Sequence, residues 1–196
     1  MEITASMVKE LREETGLPIM ECKRALVEAQ GDKEKAKEIL KKRGAVLAQK
    51  RAGRTAAEGL IASYIHFNNR VGVMVEVNCE TDFVAKSEDF RKFVNDLCQH
   101  IAMNAPAAVS AEDLDPQLVE KEKALLAESM KDVPEEARER AIMGKLQKTL
   151  FRERCLLEQP FVWDEKVTVR QLLEQLIAKT GENIVIRRFV RYALGE

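Results

Sequence analysis

Positions 79–83 read Cys79-Glu80-Thr81-Asp82-Phe83, which sets a thiol, two carboxylates, a hydroxyl and a benzyl ring side by side. Glu80 and Asp82 together with a buried thiol could in principle run acid–base or nucleophilic chemistry. That reading requires a cysteine that reacts unusually fast near neutral pH, and no nucleophile, base and orienting group share a local motif. The same residues also suit a purely structural task. Thr81 and Asp82 end a valine-alternating run, and both can accept from the orphaned amides of a new helix, whose positive end favours an acid. Phe83, in the first turn of that helix, has two readings. Its residue type favours burial in the protein's own core, whereas an exposed corner would make it an anchor for another molecule.

The remaining reactive residue types are dispersed. Cys22, Cys79, Cys98 and Cys155 form no C-x-x-C pair, so they read as reduced, mostly buried thiols rather than zinc ligands or a redox pair. His66 and His100 are far apart and each lacks a second ligand nearby, so structural roles are expected and no metal site. Neither G-x-x-x-x-G-K-[ST] nor G-x-G-x-x-G occurs, so the chain is expected to hold no nucleotide or other cofactor itself. Lys and Arg total 32 against 33 Asp and Glu over 196 residues. That near balance argues against non-specific nucleic-acid binding, which depends on uncompensated cations. No apolar run approaches the roughly 20 residues that span a bilayer, and the first residues, Met1-Glu2-Ile3-Thr4-Ala5-Ser6, lack a basic-then-apolar export signal. No membrane partner and a cytoplasmic location are therefore expected.

The elements that would position these residues follow from periodicity and punctuation. Residues 4–44 give three short helices. Thr4 or Ser6 caps the first, Gly16 stops it, Pro18 opens the second, Gly31 ends that one, and Asp32 caps a third in which Ala36, Ile39 and Leu40 face inward. From Gly44 to Glu58 the composition shifts to Ala, Lys, Arg and Gly, which reads as a linker that is helical in part. Its Lys50, Arg51 and Arg54 form either a solvated face or a contact with an acidic surface. Leu60 to Phe67 and Arg70 to Cys79 alternate as strands around Asn68-Asn69, predicting an antiparallel hairpin with Val71, Val73, Val75 and Val77 on one face. Phe90, Phe93, Val94, Leu97 and Ile101 then recur at helical spacing. Asp115-Pro116 opens another helix and Pro134 a further one, in which Gly144 permits close packing or a bend. Thr168-Val169-Arg170-Gln171 is a capping box, Leu172, Leu173, Leu176 and Ile177 are its helix's apolar stripe, and Gly181 stops that helix before an alternating strand from Ile184 to Tyr192. The fold class is α+β: a three-helix bundle, then about three antiparallel strands covered on one side by helices. Residues 1–53 form the helical domain with its linker, and residues 54–196 the core. The other sheet face carries Gly72, Met74, Glu76 and Asn78 and is a plausible site of self-association.

Four separated blocks carry a family resemblance. The decapeptide Val77 to Lys86, the stretch Thr15-Gly16-Leu17-Pro18-Ile19-Met20-Glu21-Cys22-Lys23-Arg24-Ala25-Leu26, and the later His100-Ile101-Ala102-Met103 and Gln159-Pro160-Phe161-Val162 resemble the signatures of bacterial elongation factor Ts, the guanine-nucleotide exchange factors of elongation factor Tu. The amino-terminal bundle also resembles ubiquitin-associated (UBA) domains. One departure stands at the bundle's tip, where many members have small, glycine-rich residues followed by Met-Met-Asp and this chain has Leu17-Pro18-Ile19-Met20-Glu21.

The resemblance implies a function. Asp82 and Phe83 would enter the nucleotide-binding domain of elongation factor Tu and disturb its magnesium site, with Thr81 and Val84 shaping the turn. Leu17, Pro18, Ile19, Met20 and Lys23 would grip the same domain from a second side, although Ile19 and Met20 could instead merely close the bundle. It further implies non-covalent exchange rather than enzymatic chemistry, no cofactor and no metal of its own, and a homodimer, because short members carry only one core unit. Two other classes are open: a module that uses its bundle for an unrelated protein partner, and the thiol–carboxylate enzyme described above.

Overall fold

The computed structural model describes residues 3–131 and 133–196; Met1 and Glu2, read above for an export signal, and Asp132 lie outside them. In chain order the elements are α1 (Ala5–Thr15), α2 (Ile19–Glu28), α3 (Lys33–Arg51), β1 (Glu58–Ile65), β2 (Val71–Cys79), α4 (Asp82–Lys86), α5 (Glu88–Asn104), α6 (Pro116–Ser129), α7 (Glu135–Leu146), α8 (Arg152–Arg154), β3 (Pro160–Phe161), β4 (Asp164–Thr168), α9 (Val169–Thr180) and β5 (Val185–Ala193). The class is α+β, with an antiparallel sheet in the order β1-β2-β5.

Two compact units share the chain. The first comprises Met1–Leu60, Val77–Arg91 and Gln171–Val185, and the second Ile61–Glu76, Lys92–Arg170 and Ile186–Glu196. In the first, Thr4 accepts from the Met7 amide and Asp32 from the Lys35 amide, so two of the three bundle helices start on side-chain caps. Gly16, at φ 68, stops α1 in the left-handed region that glycine enters without strain. Val8, Leu11, Cys22, Ala25, Leu26, Ala36 and Leu40 are buried together as the bundle's core. The third helix runs further than its composition suggested, since Gly44, taken as the start of the linker, lies buried inside α3 and the helix continues to Arg51.

In the second unit, His66 donates its amide to Val71 O at 2.9 Å, and Asn69 turns the chain at φ 56, closing the expected hairpin. Val73 and Val75 of β2 are buried, whereas Ile61, Ile65, Met74, Val190 and Tyr192 are exposed. Leu126 and Leu146, from α6 and α7, are buried in one cluster with Phe151 and Cys155. Gly144 is not a close-packing point: it lies within α7, and nothing is within 4 Å of where its Cβ would be. The irregularity comes later, as a π-helical turn from Gln147 to Phe151. The β3–β4 hairpin was not foreseen, because two and five residues leave no room for a readable alternation.

Gly59 is a strict glycine within β1. It sits at φ 143, and a Cβ there would overlap the Val77 carbonyl oxygen and lie 2.8 Å from Asn78 Cα. Backbone atoms cannot step aside cheaply. Gly59→Ala is expected to destabilise the protein by about 2 kcal/mol or more, read as a lowered denaturant midpoint; an unchanged midpoint would contradict this assignment.

Candidate functional site

The site is a corner between β2 and α4. Thr81 leaves the strand in an extended conformation (φ −129, ψ 154) and its hydroxyl accepts from the Val84 amide at 3.4 Å, as expected for the cap. The same hydroxyl donates to Glu182 Oε1 at 2.6 Å, while the amides of Glu80 and Thr81 each donate to Glu182 Oε2 at 3.1 Å. One carboxylate therefore collects three donors from the turn. Glu80 is held from the same side, its Oε1 accepting the Asn183 amide at 2.6 Å and its Oε2 facing Arg54 at 3.5 Å. Asn183 in turn donates its side-chain amide to Arg54 O at 2.7 Å. Glu182 and Asn183 are the residues that sequence reasoning missed. The only nearby signal was Gly181, which was read as the stop of α9, as its φ of 74 bears out.

On this pinned corner Phe83 is 82% exposed. The expectation from residue type, burial in the protein's own core, is therefore overturned: as the second residue of a five-residue helix whose buried member is Ala85, its ring is directed away from the interior. Asp82 bonds Lys86 at 2.6 Å, and that ammonium holds its carboxyl below the usual carboxylate range. The exposed end of the corner is thus an anion beside a wet aromatic ring. Val84 is half-buried.

The second candidate contact belongs to the same compact unit. Leu17 packs partly against the bundle core, whereas Pro18, Lys23, Ile19 at 52% and Met20 at 57% are exposed, so Ile19 and Met20 do not close the bundle.

Covalent chemistry finds little support at this corner. Burial, reinforced by the Glu182 charge, pushes the Cys79 thiol up to about 11, and burial pushes Cys98 and Cys155 to about 11 as well. A thiol at that value is thiolate in only about one part in ten thousand at neutral pH. Both Glu80 oxygens face protein donors, as above. No group of three or more His, Cys, Asp or Glu side chains suited to a metal ion occurs among the described residues, and no helix among them is long and apolar enough to cross a membrane.

Two further sequence blocks meet in the second unit. His100 is buried, bonding Gln159 Oε1 through Nε2 at 2.9 Å and accepting the Val162 amide on Nδ1 at 3.3 Å. This fixes the neutral tautomer with hydrogen on Nε2. Gln159 donates its amide to the carbonyls of Glu153 and Asn104, so the network is closed. Burial lowers the His100 pKa below 6.5, with the Gln159 bond pulling the other way. With the folded value depressed, His100 contributes its full stability above the unfolded pKa and loses it as pH falls toward the folded one. The denaturant midpoint should drop as pH falls below the ordinary histidine value of 6.5, and His100→Gln should flatten that drop; an equal slope in both proteins would contradict it.

The α+β fold thus displays an acid and a bare ring on a corner braced by Glu182. The model of the family described as Elongation factor TS matches residues 2–196. The chain is 48% identical to Elongation factor Ts of Thermotoga maritima over 196 residues, covering all of this chain and 98% of that protein. It is 54% identical to Elongation factor Ts of Alkaliphilus oremlandii, covering 91% of that relative, and 50% identical to that of Fervidobacterium nodosum over the whole of both chains. The chain belongs to the elongation factor Ts family, a family of translation elongation factors.

Proposed function

We propose that this protein is a guanine-nucleotide exchange factor that binds elongation factor Tu carrying GDP, disturbs its Mg2+ site with Asp82 and Phe83, and so promotes GDP release. Family membership supports the partner, and the observation that carries the mechanism is an 82%-exposed Phe83 on a corner braced by Glu182. Mg2+ tolerates only near-octahedral geometry at short oxygen distances, so a small displacement of its supporting loops removes much of its binding energy. Burying the ring in the partner contributes roughly 1.5–3 kcal/mol, too little alone to eject a tightly held nucleotide. A second foothold is therefore part of the proposal, formed by Leu17, Pro18, Ile19, Met20 and Lys23 at the tip of a UBA-like helical domain spanning residues 1–53. Residues 54–196 form the core that carries the corner and pairs two copies of the chain.

Thr81 and Val84 shape the corner and touch the partner's edge. Exchange proceeds in the cytoplasm without covalent chemistry, and the chain itself holds no nucleotide, cofactor, nucleic acid or membrane. The exposed sheet face with Ile61, Ile65, Met74, Val190 and Tyr192 supports the homodimer. Ile65→Asp with Tyr192→Asp should sediment as a monomer, and an unchanged mass would remove that face from the dimer. The exchange reading is tested by reciprocity: if the factor weakens GDP binding to elongation factor Tu by some ratio, GDP must weaken binding of the factor by the same ratio. Calorimetric titrations in both orders that show no mutual weakening would overturn the proposal.

A further inference from the structure

The last turn of α9 and the residues after it touch the corner itself and Gly16, the residue just before the tip. Ala178 lies opposite Gly44 of α3, where a Cβ would sit 3.5 Å from the Ala178 Cβ and 3.6 Å from Glu174 O, so the two backbones cross closely. Lys179 runs over Gly16, whose Cβ position is 2.9 Å from Lys179 Cε, and its ammonium reaches Asp89 Oδ1 at 2.7 Å. Gly16 directly precedes the tip, and Asp89 is the second residue of α5, which begins one residue after the corner helix. Three residues after Lys179, Glu182 collects the donors of the turn, and Asn183 ties Glu80 to Arg54 O.

The seat of the bundle on α9 is narrow. Solvent-open grooves of about 530 and about 410 Å³ border the crossing, both lined by Leu17, Leu40, Lys42, Gly44 and Ala178. With water rather than side chains beside a seam of two small residues, few atoms fix the angle of the bundle there. A large side chain at 178 would pry the seam apart into that space.

We infer that Ala178–Asn183 is a bracket that sets the distance and angle between the tip (Leu17 to Met20) and the corner (Thr81 to Val84), with Ala178 and Lys179 as positioning residues. Its functional consequence rests on the proposed reading of those two segments as contacts with elongation factor Tu. Two footholds on one partner act together only when their spacing matches the partner, and rigid presentation avoids the cost of ordering them on binding. The Lys179–Asp89 pair is partly exposed and contributes little to overall stability, so its effect is on orientation.

The four native cysteines are buried, which leaves introduced ones free for spin labels at Val27→Cys in the bundle and Glu88→Cys beside the corner. Pulsed dipolar spectroscopy of the full chain should give one narrow distance distribution. Ala178→Trp should shift and broaden it, and Lys179→Met, the variant less able to disturb folding, should broaden it with an unchanged circular dichroism spectrum. Distributions superimposable on the parent's in both variants would overturn the bracket. In the unlabelled proteins, release of fluorescent GDP from elongation factor Tu should slow about tenfold or more in Ala178→Trp; unchanged release alongside a moved distribution would overturn the positioning role. Should Phe83→Ala leave release unaffected, it is the reading of the corner that fails, independently of what the labels report.

Discussion

Replacing Asp82 and Phe83 together by alanine is expected to leave the protein folded and to slow stimulated GDP release from elongation factor Tu at least about tenfold, as for loss of an interface hot spot of about 2 kcal/mol. The fold should survive because the ring is 82% exposed and buries nothing of the protein's own core. The Asp82–Lys86 pair is a solvated i,i+4 contact, of a kind that contributes little. Circular dichroism and thermal unfolding check the first half, and stopped-flow release checks the second. A double variant that unfolds would show that the corner is part of the core, and one that releases nucleotide at the parent rate would remove these residues from the mechanism.

Glu182→Ala should have the next largest effect, by a different route. It leaves the Glu80 and Thr81 amides and the Thr81 hydroxyl without their acceptor. Hydrogen bonds to a charged group contribute roughly 1.5–3 kcal/mol each, and water can reach this half-buried turn, so a net loss of about 2 kcal/mol in unfolding free energy is expected. The more specific signature is local: amide exchange at Glu80 and Thr81 should accelerate well beyond that of the buried strand residues Val75 and Val77, and release should slow although Asp82 and Phe83 are both present. Glu182→Gln should rescue only partly, because its amide offers one acceptor oxygen and sets an NH2 group against the turn's donors. Parent-like protection at Glu80 and Thr81 in Glu182→Ala would refute the bracing role.

The difference between these two predictions follows the difference between what the sequence discloses and what it hides. The Thr81 cap, the Asp32 cap and the Gly16 and Gly181 stops were legible because capping is settled within three or four residues of the chain. The hairpin and the valine face were legible because a period of two survives in any context. Glu182 was not, since its partners lie 101 and 102 positions away and an isolated glutamate after a glycine carries no pattern. The same holds for His100 and Gln159, which the resemblance had marked as separate blocks but which are one network across 59 positions. Gly44 misled for a related reason: glycine normally signals a break, but here it lies buried inside α3, facing Ala178 at ordinary van der Waals distance. Phe83 is the instructive case. Residue type alone argued for burial, and only the resemblance argued for the exposed corner that the fold presents, because a ring left in water departs from the rule that places rings in their own core.

The most direct measurement of the central claim is stopped-flow release of a fluorescent GDP from purified elongation factor Tu, in excess unlabelled nucleotide, with and without this protein. The protein should accelerate release, the acceleration should fall when added Mg2+ opposes loss of the ion, and Asp82→Ala with Phe83→Ala should abolish most of it. Release at the unassisted rate in the presence of saturating protein would contradict it.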